Sequence, residues 1–497
     1  MGFFQVCLEV STQQVLAHPL TSIIISASCF LIARSICRIF FHPLARLPGP
    51  LISKVTSSWL YYHTYIGDEA SVIHRLHKLY GPILRIAPNR VDIGDAAAVQ
   101  PIYVLQGGFP KARCYSNFDI DGHATIFSTL DPAYRTPRAR AVLPMFSTAS
   151  IRANISKICD CVDRMIARLQ SEKAIGRPVN VLNLTRSLAV DIVSTHLFEL
   201  NYNGTEERTE RLSVSAFVDA FVAVGRFFYL PTIVFIWLER VMGRLMPDPR
   251  AHVSMDLVER FVDGLVDQAT ESSTNYPGRL TQAGLVRSEI KAQCKDLIFA
   301  GTDSTGMNLA TICRYLSMNQ TWLETVRLEL YNNRTSSNGV EIQALPYLTA
   351  TIKEATRLSM ANPTRLPHTV PSGGWTFKST HFPPGADVGC SAYELHLNPV
   401  AFPEPTKFKP ERWMTDDPQV RDLMNQHWFV FGAGSRACIA RNLAMTELYV
   451  ATARLVESGA LQGAVPCQDR VEIYEWFNSS VKGDKIELAW PTIEEKD

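Results

Sequence analysis

The sequence predicts a mainly α-helical protein with minor β-structure, built as a single large helical domain with small sheets behind an N-terminal membrane anchor. Three observations lead there. Helical hydrophobic periodicity runs from about Ser150 to Leu200, from Val253 to Thr270 and from Ser288 to Asn319. Alternating, strand-like runs are few and short. The 497 residues contain no internal repeat and no low-complexity linker, so one large domain fits although the length would allow about three of typical size. With 46% hydrophobic and 20% charged residues the composition is that of a globular protein, and the core is large enough to enclose a cofactor. Net charge is +1 and no basic stripe is interleaved with aromatics, which removes the electrostatic case for nucleic acid.

Taken in chain order, the first element is apolar. Leu16 to Ala33 carries no charge, and Ile36, Ile39, Phe40 and Phe41 extend the apolar side past Arg34 and Arg38. A spanning helix needs about 20 such residues, a length reached here when the arginines snorkel. A cleaved signal peptide competes with this reading, but the run starts late, has no basic residues ahead of it, and is followed by Arg34, Arg38 and Arg46. The positive-inside rule then leaves the remainder in the cytosol. Residues 1–47 are therefore expected to form the anchor and its basic flank, and 48–497 the globular domain. Pro48-Gly49-Pro50 is expected to end the helix and act as a stiff hinge. In that orientation the sequons at Asn183 and Asn203 never meet the glycosylation machinery.

Asp68 to Tyr80 reads as a helix, and Ile83 to Asp95 as a hairpin around a Pro88-Asn89 turn. Ala216 to Met246 is apolar and aromatic, interrupted by Gly225 and Pro231. It reads equally as buried helices or as a substrate-entry or membrane-contacting surface. Pro363 to Pro410 is rich in Pro, Gly and short β-like runs.

The 11 cysteines are scattered, with no CxxC pair, so neither a zinc site nor a disulfide framework is indicated. Most are expected to be reduced and buried. Cys438 differs, because it sits in the glycine-rich loop "FGAGSRACIA", two residues after Arg436. Upstream, "AGTDST" (Ala300 to Thr305) sets polar residues in an apolar helical pattern, where they must find partners or do work. Its hydroxyls can bond to the preceding turn and bend the helix. "KEATR" places Glu354 and Arg357 on one helix face, and "FKPERW" brings Arg412 on a rigid loop able to dock there.

In that order the four motifs resemble the cytochrome P-450 superfamily of haem-thiolate monooxygenases, over essentially the whole chain. The wording of "KLYGPILRIAPNRVDIGD" and "LPYLTATIKEATRLS" is similar to filamentous-fungal enzymes of specialised metabolism, in particular the trichodiene-oxygenase-like group that oxidises terpenoids. The resemblance implies a P-450 fold, haem b, O2, and electrons from NADPH through a flavoprotein reductase. It also implies a tether in the endoplasmic reticulum membrane and a lipophilic small-molecule substrate. By resemblance, Cys438 is the axial thiolate ligand and the metal-binding residue. Gly432 and Gly434 permit the tight turn, Phe431 packs against the loop, and Arg436 reaches a haem propionate. Glu354, Arg357 and Arg412 are the structural triad. Asp303 and Ser304 match the acid and alcohol pair of the proton relay, with Thr305 following.

The sequence departs from the family pattern in four ways. Ala440 stands where glycine is usual, and Ser304 where threonine is commoner. His368 falls where relatives carry a propionate-binding arginine, which makes that contact an expected function of pH. Arg135 and Ala139 replace the usual Trp or His followed by Arg; Arg135, Arg138 and Arg140 are all candidates for the propionates. A haem-thiolate isomerase or dehydratase, a polyketide, alkaloid or fatty-acid hydroxylase, and a non-enzymatic haem protein are the alternatives. From the motif order, Phe118, Phe299, Ala300, Pro363 and Phe477 are expected to line the substrate pocket.

Overall fold

The computed structural model describes residues 19–207, 212–245, 249–333 and 341–491. Residues 1–18 of the expected anchor segment and Met246 of the apolar stretch lie outside the described residues.

Helix α1 (Pro19–Ile36) passes into one π-helical turn over Cys37–Phe41. The apolar run Leu20–Phe41 is 22 residues long with none of it buried, so by length and composition it can cross a membrane. The helix stops earlier than expected. His42 turns extended (φ −67°, ψ 142°) ahead of Pro43, because a residue before proline avoids the helical region. Pro48-Gly49-Pro50 is held in place by the sheet. The Arg85 N–H donates to Pro48 O at 2.8 Å, and a Cβ on Gly49, at φ +150°, would lie 2.3 Å from Arg85 O. The segment is docked on the sheet.

That sheet is built as expected in its first half. After α2 (Glu69–Tyr80), β1 (Ile83–Ala87) and β2 (Arg90–Ile93) form an antiparallel hairpin. The Pro-rich segment supplies β3 (His368–Thr369) and β4 (Asp387–Gly389), giving the order β1-β2-β4-β3 with β2 and β4 parallel. This pairing carries the chain around His368 to the edge of the cavity described below.

The helical body contains α3 (Pro132–Val142), α4 (Ile155–Ala174), α5 (Val181–Val193), α6 (Ser213–Val224), α7 (Pro249–Gln268), α8 (Arg287–Met318), α9 (Pro346–Ser359) and α10 (Arg441–Glu457). The pattern from Ser150 to Leu200 is broken rather than continuous: Asn154 interrupts it, and Gly176 at φ +76° ends the second piece. Every residue of α5 is buried, since it runs against α8 at small residues. Cβ atoms on Gly301 and Gly306 would lie 2.8 Å from Val193 Cγ2 and 2.7 Å from Arg186 Cγ. The hydroxyls of α8 bond back as expected, Thr302 to Ile298 O at 2.6 Å and Ser304 to Ala300 O at 3.3 Å. They do not break the helix, which continues for 32 residues. The apolar stretch divides between its two readings: α6 buries Phe217, Val218 and Val222, whereas the helix Thr232–Leu245 exposes Ile233 and Trp237.

Candidate active site

The loop entering α10 is shaped by two left-handed glycines, Gly432 at φ +65° and Gly434 at φ +71°. A Cβ on Gly434 would stand 1.7 Å from Tyr103 O, so nothing larger fits. Gly434→Ala is expected to cost at least about 1–3 kcal/mol through strain and overpacking; urea unfolding of the two proteins measures it. Within the loop the Cys438 N–H donates to Phe431 O at 2.9 Å. Ala440 caps α10 at φ −93°, ψ 13°, a conformation open to any L-residue, so its methyl group costs the turn nothing. Cys438 is open to the cavity, yet the protein packed around its thiol pushes it up, opposed by the Ala440 N–H and the Arg441 charge.

Cys438 and Phe431 line a cavity that Ala300, Gly301, Ser304 and Thr305 of α8 also line. Phe118, Phe127, Phe221 and Phe477 make much of its remainder apolar. Two of the expected lining residues do not reach it. Phe299 lies one position round α8 and stacks on Phe221 at 4.3 Å, while Pro363 uses its carbonyl to accept the Tyr393 N–H at 3.1 Å. Their neighbours Ala300, Asn362 and Thr364 face the cavity instead.

Three cations gather at this cavity: Arg436, Arg135 and Lys111. Arg436 donates to Phe127 O at 2.9 Å and Thr129 O at 2.7 Å. Arg135 donates to Ile126 O at 3.3 Å, and Lys111 Nζ to Phe127 O at 2.7 Å. Burial, then the Arg135 charge, brings Arg436 down to about 10, and burial lowers Arg135 as well. Among the described residues no carboxylate forms an ion pair with any of the three. Three basic residues without an ion-pair partner among the described residues, beside a cysteine loop, fit a dianion such as the two carboxylates of haem. The open choice among arginines is also resolved in space. Arg138 is taken by Glu289 at 2.5 Å and Arg140 is exposed, leaving Arg135 at the cavity.

His368 lines the cavity too. Its Nδ1–H donates to Leu366 O at 3.2 Å, and burial, aided by Lys111 and Arg436, drives its pKa to about 3.

Asp303 is buried beside this wall without lining the cavity. Its carboxylate accepts from Arg186 Nη2 at 2.7 Å and from Asn478 Nδ2 at 3.4 Å, and Arg186 also reaches Asp219 at 3.0 Å. Burial raises the Asp303 pKa, while Arg186 opposes the shift. Ser304, next in the chain, and Asn478, its hydrogen-bond donor, both line the cavity.

Glu354, Arg357 and Arg412 meet as expected. Glu354 accepts from Arg357 Nη2 at 2.8 Å and Arg412 Nε at 3.1 Å, and also from Trp413 Nε1 at 2.9 Å and the Lys409 N–H at 3.0 Å. His396, absent from the sequence reading, ties this cluster to the cysteine loop. It donates from Nδ1 to Arg357 O at 2.9 Å and accepts the Phe429 N–H on Nε2 at 2.9 Å. Lys111 and Asp296 were missed as well: each has a charged neighbour in the chain, Arg113 and Lys295, and reads as part of a solvated stretch until the fold turns it to the cavity. Asp296 is pushed up to about 7 by burial, against hydrogen bonds from Thr125 and the Phe127 N–H.

A glycine-framed cysteine, a polar helix wall and a cation cluster around one apolar cavity define a class of haem-thiolate sites. The family model described as Cytochrome P-450 matches residues 55–463, and the chain belongs to that family as a monooxygenase. It is 36% identical over 499 residues to the cytochrome P-450 monooxygenase mfmF of Annulohypoxylon moriforme, covering 95% of this chain and 99% of that one. It is 28% identical to the monooxygenase poxM of Penicillium oxalicum over 89% of this chain and 91% of that one. Its identity to the pisatin demethylase of Fusarium vanettenii is 26%, over 84% of this chain and 85% of that one.

Proposed function

We propose that this monooxygenase inserts one oxygen atom from O2 into a lipophilic terpenoid of fungal specialised metabolism. The observation that carries this reading is the cavity itself: the Cys438 loop and the Ser304 wall face a space lined by Phe118, Phe127, Phe221 and Phe477, suited to an apolar ligand. The choice of terpenoid rests on the trichodiene-oxygenase-like wording of the sequence. Residues 1–47 tether the domain 48–497 to the endoplasmic reticulum membrane, where an NADPH-dependent flavoprotein reductase delivers electrons. Cys438 ligates haem b, while Arg436 and Arg135 hold its carboxylates. Bound there, a thiolate-ligated haem supplies oxygen activation and transfer to carbon.

The chain's own contribution is orientation and proton delivery. Ser304 presents its hydroxyl to the cavity, and Asp303 holds a proton source behind it, oriented by Arg186 and Asn478. Thr305 lines the next position. Ser304→Ala is expected to keep its haem while product formed per NADPH falls by about tenfold or more, with peroxide released instead. Unchanged coupling would reject the relay.

The function itself is tested by deleting the gene in its source organism and comparing metabolites by mass spectrometry. Loss of an oxygenated isoprenoid, with accumulation of its precursor, is the expected result. A precursor without an isoprenoid skeleton overturns the terpenoid assignment. A pair differing only by water or by isomerisation overturns oxygen insertion.

A further inference from the structure

We propose that Lys111 is a cofactor-binding residue, its ammonium group taking a haem carboxylate at the cavity edge beside Arg436 and Arg135. This rests on the haem reading above. Lys111 is 7% exposed and lines the cavity. Among the described residues its one hydrogen bond goes to Phe127 O, the carbonyl that Arg436 also uses, so an ammonium and a guanidinium share a single acceptor. The Tyr115 and Phe127 rings each lie 3.9 Å from Nζ; they shield the charge from water without neutralising it. A lysine and an arginine that share one carbonyl, with no carboxylate in ion-pair contact among the described residues, leave donors at this edge for an anion to meet. Burial first, then the Arg436 charge, hold the ammonium well below the ordinary lysine range, with Asp296 acting the other way.

The backbone explains why the lysine and the histidine serve one place. Lys111 and His368 face each other across an isolated antiparallel bridge, so their side chains leave neighbouring points on the cavity edge. His368 spends its Nδ1–H on Leu366 O. Its remaining nitrogen is an acceptor, which repels a carboxylate. Lys111 keeps unused N–H donors at the same edge, beside Arg436 and Arg135. The same ammonium could meet a carboxylate on a substrate, and the experiment separates these two sources.

The test measures haem loss from the purified holoprotein to excess apomyoglobin, for haem and for its dimethyl ester, in which both carboxylates are blocked. Lys111→Met is expected to lose haem about tenfold to a hundredfold faster than wild type, the scale of a lost charge-assisted hydrogen bond. It should lose the dimethyl ester at nearly the wild-type rate. Lys111→Arg should hold haem as wild type does, and His368→Arg on the Lys111→Met background should restore retention. Equal haem loss by wild type and Lys111→Met overturns the assignment, leaving a substrate carboxylate as its partner. Equal acceleration for haem and for the ester also overturns it, because the effect is then packing rather than charge. Should Lys111→Met fail to fold, Lys111→Gln keeps a donor to Phe127 O and carries the same comparison. A wild-type chain that takes up no haem overturns the cofactor reading together with this one.

Discussion

Cys438→Ser is expected to abolish the thiolate-specific carbon-monoxide band of the reduced protein, with turnover falling below detection, while the chain stays folded. The loop's shape does not depend on the thiol: Gly432 and Gly434 set its turn, and the Cys438 N–H holds Phe431 O. Serine has nearly the same size, so stability should change by no more than about 1 kcal/mol. What is lost is the donor. Burial disfavours a free thiolate here, and the Ala440 N–H and Arg441 charge only partly oppose that, so the site suits a thiolate whose charge a metal meets. A carbon-monoxide spectrum like that of wild type would overturn the axial assignment.

Glu354→Ala is expected to lower unfolding stability by about 3–5 kcal/mol and to release haem. The carboxylate is fully buried and accepts from Arg357, Arg412, Trp413 and the Lys409 N–H. Removing it leaves two guanidinium groups without their shared counter-charge. The damage reaches the site because Arg357 O holds His396, and His396 holds the Phe429 N–H at the start of the cysteine loop. Urea unfolding followed by circular dichroism, with haem per chain measured in parallel, checks both effects. Stability within about 1 kcal/mol of wild type would show that the cluster does not support the loop. Glu354→Gln should fall between the two, since an amide still accepts but carries no charge.

Much of this architecture was legible because local chemistry dictates it. The Pro88-Asn89 turn, the glycines of the cysteine loop and the periodicity of α8 each follow from a few neighbouring residues, and each is where the spacing put it. Where the reading failed, a distant partner decided. The Arg85 N–H that holds Pro48 O comes from a strand the local sequence of Pro48-Gly49-Pro50 does not reveal. His368 reads as a surface-like contact in sequence, whereas in the fold it is buried beside Lys111 and Arg436, which lower its pKa together with burial. Phe299 and Pro363 were misplaced by a single position each, an error that helix phase and loop path settle only in three dimensions.

By itself, then, the sequence determined the helical class, the order of the four motifs and the identity of Cys438 as the unusual cysteine, because each is a property of residues close in the chain. Tertiary structure alone decided that Arg135, rather than Arg138 or Arg140, reaches the cavity, that Asp303 stands behind its wall on Arg186, and that Lys111 joins Arg436 at one carbonyl. The reason is physical. Whether a charge is solvated, paired or stranded depends on groups brought from hundreds of residues away, and no local pattern encodes that environment.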